Sequence, residues 1–108
     1  MKRKFRLQKS SDFKRVRQIG KSYAHPFIVL IKNPNQSDIT RIGVTAGRSI
    51  GNAVDRNRIK RRLREIIRPR VPMIANGWDI ILLARKPIHN ASYIELQAAI
   101  EELIYRAQ

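Results

Sequence analysis

The stretch GNAVDRNRIKRRLREII, residues 51–67, carries six basic side chains and lies between two segments typical of β-strands. At about 100° per residue around a helix axis, its apolar residues fall within one arc, which would pack on a sheet. These residues are Ile59, Leu63, Ile66 and Ile67. Asn52 suits the N-cap position, and Pro69 and Pro72 follow the last turn. The stretch therefore predicts an amphipathic helix that covers one face of a sheet.

The remaining positions of this helix divide into two polar sides. The basic flank consists of Asn57, Lys60, Arg61, Arg64 and Arg68, with Arg56 at its edge. The outer side consists of Arg58, Arg62 and Glu65. Basic residues four positions apart repel one another on a helix, so a folded domain accepts this density where an anion binds. Arginine binds phosphate bidentately, which favours a phosphate-binding surface over a merely solvated face.

The whole chain shares this excess of positive charge. Its 108 residues include 23 Lys and Arg against 8 Asp and Glu, a formal net charge of +15. Such an excess predicts a polyanionic partner, and nucleic acid is the commonest one. Residues 1–21 and residues 48–70 each hold nine basic side chains, whereas residues 71–108 hold three basic and four acidic ones. The two basic segments should carry the binding surface, and the C-terminal third should be scaffold.

The N-terminal third predicts one helix followed by strands. SSDFKRVRQIG, residues 10–20, should form a helix that either serine can cap and the last glycine ends. Its apolar side carries Phe13, Val16 and Ile19. SYAHPFIVLIK, residues 22–32, is typical of β-structure, and Pro26 within it indicates a break between two strands. Residues 1–9 are expected to be a mobile basic N-terminus.

The rest of the chain predicts two strands around the basic helix and one further helix. RIGVTAG, residues 41–47, precedes the basic helix, and WDIILLAR, residues 78–85, follows it as a buried strand. Ser92 and Glu95 form a capping box that opens the last helix. The predicted order is α-β-β-(β)-α-β-α, a single α+β domain over residues 1–108 with helices packed against one sheet.

The sequence indicates a binding protein without an active site of its own. The chain has no cysteine, which excludes disulfides and thiol catalysis, and its few acids show no spacing typical of a metal site. His25 and His89 belong to no ligand or general-base motif. No apolar run is long enough to span a bilayer. We therefore expect no catalytic residue, no metal ligand, no membrane partner and no obligate protein partner, in a cytoplasmic protein.

The basic helix closely resembles the signature of the bacterial ribonuclease P protein subunit. The residues that carry the resemblance are Arg56, Asn57, Arg58, Lys60, Arg61 and Arg64. Three further stretches resemble the family: RLQKSSDFKRVRQIGKSYA, RIGVTAGRSIGNAV and WDIILLARK. Together they cover most of the chain.

The resemblance implies an accessory protein of a ribozyme, the endoribonuclease ribonuclease P. In this family the RNA subunit performs magnesium-dependent hydrolysis, which frees the 5′ leader from precursor tRNA. The basic helix faces the catalytic RNA, and a cleft between the sheet and the N-terminal helix holds the single-stranded leader. The family also implies a left-handed βαβ crossover, although general chirality rules favour the right-handed form.

The resemblance also assigns residues of this chain to each surface. The RNA contacts are Arg56, Asn57, Arg58, Lys60, Arg61, Arg64, Arg68 and Arg48. The leader cleft includes Phe13, Arg17 and Ile31; the last two stand where some family members carry aromatic residues. Phe13 is equally compatible with core packing, and Arg17 with contacting a phosphate or lying flat on a base. Further contacts from the N-terminus are Arg3, Lys4, Arg6 and Lys9.

Two other classes of protein remain open on the sequence. A generic RNA-binding protein, such as a ribosomal protein or an RNA chaperone without a role in cleavage, would explain the charge equally well. It would not explain the order of the motifs. A protein-only nuclease would cleave RNA without an RNA subunit.

Overall fold

The computed structural model describes residues 2–108 and confirms the predicted order of elements. The helices are α1 (Ser10–Ile19), α2 (Ala53–Ile67) and α3 (Tyr93–Arg106). The strands are β1 (Lys21–Ala24), β2 (Ile28–Pro34), β3 (Arg41–Thr45) and β4 (Trp78–Ala84). Short 3₁₀ turns occupy Arg3–Phe5, Arg48–Ile50, Arg68–Met73 and Lys86–Asn90. As predicted, the chain forms two strands, one on either side of Pro26.

The four strands form one sheet in the order β1-β2-β4-β3. β1 pairs with β2, and β2 with β4, in antiparallel fashion, whereas β3 and β4 are parallel neighbours. Parallel neighbours cannot be joined by a tight turn, and α2 supplies the crossover that connects them. The β3–α2–β4 unit is thus the predicted βαβ crossover, and its left hand stays an implication of the family.

Helices cover both faces of the sheet because the central strands β2 and β4 carry apolar side chains on both faces. On one face, Ile28 and Leu30 of β2 join Ile80 and Leu82 of β4 in a core beneath α2 and α3. The opposite face carries a smaller core beneath α1, formed by Leu7, Val16, Ile31 and Ile81. Successive side chains of a strand point to opposite faces, so β2 and β4 contribute to both cores.

α2 and α3 begin as the sequence predicts. The Asn52 side chain accepts a hydrogen bond from the Asp55 backbone N–H at 2.9 Å, which caps α2. Ser92 and Glu95 exchange both hydrogen bonds of the capping box at the start of α3. The apolar arc of α2 is buried as expected, at 8% exposure or less for Ile59, Leu63, Ile66 and Ile67.

α1 differs from the prediction in two details. Its N-cap is Lys9, without a side-chain hydrogen bond, so neither serine caps the helix. Ile19 is 66% exposed, whereas Val16 is fully buried. Val16 lies at the centre of the apolar arc, and Ile19 lies at its edge, on the last residue of the helix. Gly20 ends α1 as predicted.

A buried carboxylate, which was not predicted from the sequence, joins α1 to the sheet. Asp79 of β4 is fully buried and accepts hydrogen bonds from Arg15 at 2.6 Å, from Arg41 at 2.7 and 2.9 Å, and from Asn35 at 2.9 Å. Burial alone would raise the pKa of Asp79. The hydrogen bonds from Arg41, Asn35 and Arg15 outweigh burial, and the pKa is lowered. Asp12 of α1 pairs with the same two arginines.

The N-terminal segment is attached to the free edge of β3. The Leu7 backbone N–H donates to the Ile42 carbonyl at 2.9 Å, and Arg6 forms an isolated parallel bridge with Ile42. The Leu7 side chain is 4% exposed and belongs to the core beneath α1. The predicted mobility of residues 1–9 stays a prediction. Met1 of that range lies outside the described residues.

Lys32 of β2 contacts the C-terminal turn. Its ammonium lies 4.2 Å from the centre of the Trp78 ring and donates to the Ala107 carbonyl at the end of α3. A cation held over an aromatic ring in this way stabilises the contact further. None of the helices within residues 2–108 has both the length and the apolar character needed to cross a bilayer.

Candidate RNA-binding surface

The basic flank of α2 is open to solvent along its length. Asn57, Arg61 and Arg68 are exposed, and Lys60 and Arg64 are half-buried. Within residues 2–108, no carboxylate forms an ion pair with any cation of this flank. The helix is held by its buried apolar arc, so the flank presents its charge from a rigid element.

The other predicted RNA contacts differ in their surroundings. Arg58 is exposed on the outer side, where it lines a hollow with Arg62 and His89. Arg48 is exposed in the turn before α2. Arg56 is half-buried, and its Nε atom is buried without a hydrogen-bond partner within residues 2–108. The structure therefore gathers Lys60, Arg61 and Arg64 on one side of α2 and places Arg58 on the outer side.

A groove of about 560 Å³ runs between α1 and the end of β3, and we call it the α1 groove. Its lining residues are Gln8, Ser10, Phe13, Lys14, Arg17, Gln18, Val44, Thr45, Ala46 and Lys60. Phe13 and Arg17, two of the predicted cleft residues, both open onto it. Lys60 belongs to the basic flank as well as to the groove, so the two surfaces are continuous.

Phe13 lies directly against the sheet. A Cβ atom on Gly43 would stand 2.5 Å from the Phe13 Cζ atom, so only glycine leaves room for the ring. The ring also packs against the core beneath α1, and it remains half-buried rather than buried. The Phe13 ring thus contacts the core and also lines the groove. Core packing is confirmed, and binding of the leader by this ring stays a prediction.

Ile31 does not belong to the groove, which corrects the expectation drawn from the family. Its side chain is 5% exposed and packs with Val16 and Ile81 beneath α1. The backbone of Gly20 covers it so closely that a Cβ there would lie 2.8 Å from the Ile31 Cγ2 atom. The alternation of β2 directs this side chain into the core rather than toward solvent.

The four predicted N-terminal contacts line one hollow, which we call the N-terminal hollow. Arg3, Lys4, Arg6 and Lys9 are exposed and line a hollow of about 410 Å³ together with Gln8, Asp12 and Arg41. Arg6 also acts on α2. Burial lowers the pKa of Arg64, and the positive charge of Arg6 lowers it further. The like charges of these two residues therefore repel each other.

Several residues of the groove were not predicted from the sequence. Lys14 and Gln18 of α1 line it beside Phe13 and Arg17. At helical spacing these four residues share one side of α1, so the signal was present in the sequence. The contributions of Gln8 and Thr45 were not visible, because they depend on how the N-terminal segment and β3 are placed.

An arginine-rich helix beside a groove with an aromatic ring and several cations is typical of α+β proteins that bind nucleic acid. Residues 1–108 match the profile of the family described as Ribonuclease P. The ribonuclease P protein component of Herpetosiphon aurantiacus is 38% identical over 108 residues, which cover 100% of this chain and 88% of the relative. That of Roseiflexus castenholzii is 39% identical and covers 99% of this chain.

Solved structures agree with this match. The RNase P protein of Staphylococcus aureus, solved at 2.0 Å, is 32% identical and superimposes with a TM-score of 0.87. That alignment covers 96% of this chain and 95% of the other. The RNase P protein from Thermotoga maritima is 30% identical, with a TM-score of 0.84 over 94% of this chain and 96% of the other.

The chain belongs to the ribonuclease P family. It is a protein subunit of the ribonuclease P holoenzyme, an endoribonuclease, and its partner is the ribonuclease P RNA. This membership confirms the family resemblance of the basic helix and sets aside a generic RNA-binding protein.

Proposed function

We propose that the basic flank of α2 contacts the catalytic RNA and that the α1 groove binds the 5′ leader of precursor tRNA. The observation that carries this proposal is the position of Lys60, which lies on the flank and also lines the groove. A leader in the groove would therefore lie beside the catalytic RNA on the flank. Both surfaces present cations to phosphates, which offsets the repulsion between two polyanions.

Each groove residue has a distinct part in this proposal. Phe13 offers a ring face on which a base of the leader stacks. Arg17 and Lys14 stand beside it on α1, where they bind the leader phosphates or, for Arg17, lie flat on a base. The leader is single-stranded, so its bases are free to reach the ring.

We also propose that the magnesium needed for hydrolysis is held mainly by the RNA subunit, and that the complex works in the cytoplasm. In the part of the chain that the structure describes, no three Asp, Glu, His or Cys side chains converge as ligands. The residues described do not fit a protein-bound magnesium ion. The protein contributes positive charge, which partly replaces the screening that magnesium ions provide.

The first test is cleavage of precursor tRNA by a bacterial ribonuclease P RNA at low magnesium, with and without this chain. We expect strong stimulation, with cleavage at the mature 5′ end and no cleavage by carefully RNA-free protein. Stimulation that is absent even with the cognate RNA would contradict the proposal. Cleavage by the protein alone would instead indicate a protein-only nuclease.

A second test isolates the groove. We would measure the affinity of the RNA–protein complex for precursor tRNA with and without its leader, using Lys14→Ala and the matched control Lys86→Ala. Lys86 is exposed and lines neither the α1 groove nor the N-terminal hollow. Lys14→Ala should weaken binding only when the leader is present, and Lys86→Ala should have no effect. Equal binding of both substrates by the unmodified complex would rule out the groove as the leader site.

A further inference from the structure

An apolar crevice of about 310 Å³ lies where the start of the chain meets the turn that follows α2, and we call it the Phe5 crevice. Its lining residues are Lys2, Phe5, Arg68, Val71 and Pro72. Sites for small ligands begin at about 300 Å³, so the crevice has room for one nucleobase. It shares no lining residue with the α1 groove or with the N-terminal hollow. It is therefore a site separate from both.

The fold holds both walls of the Phe5 crevice in place. Val71 packs against the core beneath α2 and α3, and the ring of Pro72 restricts the backbone of the turn. On the other wall, Leu7 is buried beneath α1, and its N–H donates to the Ile42 carbonyl at 2.9 Å. Phe5, two residues earlier, is half-buried, so part of its side chain remains open to solvent. A ligand that enters this crevice binds without the cost of ordering its walls.

Cations without acidic partners accompany the apolar surface of the Phe5 crevice. Lys2 and Arg68 line it, and the Lys4 ammonium lies 5.0 Å from the centre of the Phe5 ring. All three cations are exposed, and none of them forms an ion pair within residues 2–108. Every charged residue that lines the crevice is basic. A ring flanked by cations suits a nucleotide, because its base stacks on the ring while its phosphates meet the cations.

We propose that the Phe5 crevice binds an unstacked base of the catalytic RNA, with Lys2 and Arg68 on the phosphates beside that base. This inference rests on the proposed function, in which the basic flank of α2 contacts the same RNA. Arg68 belongs to the flank and also lines the crevice, so a strand that follows the flank reaches the crevice at the end of α2. Stacking adds affinity that does not depend on charge, beside a surface that otherwise binds by charge.

Affinity for the ribonuclease P RNA, measured without precursor tRNA, tests the stacked base. Phe5→Leu should lower this affinity about tenfold, which is within the range for the loss of one stacked base. Phe5→Tyr keeps an aromatic ring and should bind like the unmodified protein. The matched control is Tyr105→Leu, which removes an exposed ring from α3, away from every proposed RNA surface, and should have no effect. A tyrosine variant as weak as the leucine variant would overturn the proposal.

The salt dependence of binding separates stacking from a merely structural role of Phe5. Loss of stacking removes no phosphate contact, so Phe5→Leu should leave the slope of log affinity against log salt unchanged. Arg68→Gln should reduce that slope by about 1. If Phe5 served only to attach the N-terminal segment, Phe5→Leu would also displace the cations of that segment, and the slope would fall. That result would overturn the stacked base.

The remaining outcomes distinguish this inference from the proposed function. If Arg68→Gln and Arg61→Ala bind the RNA weakly and Phe5→Leu binds it normally, the crevice is overturned and the basic flank stays an RNA surface. Unchanged affinity in all three variants would overturn the RNA surface as well. If Phe5→Leu instead weakens only the binding of precursor tRNA to the assembled complex, the crevice holds the substrate, and its assignment to the catalytic RNA is overturned.

Discussion

At the scale of single residues, Asp79 links α1 to the sheet through its buried ion pair with Arg15. Replacing it with Asn leaves Arg15 and Arg41 facing each other without a buried counter-charge. Removal of one partner of a buried ion pair costs about 3 kcal/mol. We expect Asp79→Asn to lower the free energy of unfolding by about that amount in urea titrations followed by circular dichroism. Asp38→Asn, at an exposed acid in the β2–β3 turn, is the control and should be near neutral.

The same carboxylate predicts how stability depends on pH. The pKa of folded Asp79 is lowered from its ordinary value of 3.8, so its contribution is fully present above that value. The contribution is lost as the pH falls through the lower pKa of the folded state. The pKa of Glu95 is also lowered, by its hydrogen bonds with the backbone and side chain of Ser92, and it acts in the same direction. We expect the urea concentration at the midpoint of unfolding to decrease as the pH falls below about 4. This decrease should be less steep in Asp79→Asn. An equal decline in both proteins would contradict this assignment.

Phe13 has two roles that one pair of variants can separate. Phe13→Ala should lose both core packing, at about 2 kcal/mol of stability, and base stacking, at about 1–3 kcal/mol of leader binding. Phe13→Leu should keep much of the packing and lose the stacking. Stability from urea unfolding and affinity for leader-containing precursor tRNA measure the two effects. A leucine variant that binds the leader as well as the unmodified protein would show that the ring only fills the core.

At the scale of elements, the buried face of α2 stabilises the fold, and its exposed basic flank is the face proposed to bind RNA. Arg61→Ala should weaken RNA binding and leave stability nearly unchanged, because Arg61 is exposed on the basic flank. Leu63→Ala should lower the free energy of unfolding by about 3 kcal/mol, because Leu63 is fully buried. Circular dichroism and RNA affinity, measured on both variants, check the assignment. Loss of helical signal in Arg61→Ala would show that the faces are wrongly placed.

The elements that the sequence predicted well are those that rest on local or periodic signals. The apolar arc of α2, the capping box at Ser92 and the break at Pro26 each depend on residues close together in the chain. The prediction was wrong where the position of a residue within its strand or helix decided its burial. Ile31 points into the core because of the register of β2, and Ile19 is exposed because α1 ends there.

The buried ion pairs could not be predicted for a related reason. Asp79 meets Arg41, Asn35 and Arg15, which are 38, 44 and 64 residues away in the chain. In the sequence it looks like a single acid in an otherwise apolar strand. Only the pairing of β4 with β3, and the packing of α1 beside them, brings its partners together. The same long-range placement brings Lys60 to the α1 groove. The connection between the basic flank and the groove could therefore not be predicted from local sequence patterns.

At the scale of the whole molecule, a net charge of +15 on 108 residues opposes the compact state. Salt should therefore act in opposite directions on folding and on binding. We expect the melting temperature of the free protein to rise as sodium chloride increases, and the affinity for RNA to fall. Removing Arg61 should reduce the slope of log affinity against log salt by about 1, whereas Leu63→Ala should leave the slope unchanged. Affinity independent of salt would contradict a phosphate-binding surface.

The contact between Lys32 and Trp78 has a practical consequence for such measurements. Trp78 is the chain's single tryptophan, and it lies beneath the Lys32 ammonium and beside the C-terminal turn. It lines neither the α1 groove nor the N-terminal hollow. Its intrinsic fluorescence should therefore report on the integrity of the scaffold without a label. A bound RNA strand would not quench this fluorescence by stacking. Unfolding can therefore be followed through Trp78 in the presence of RNA.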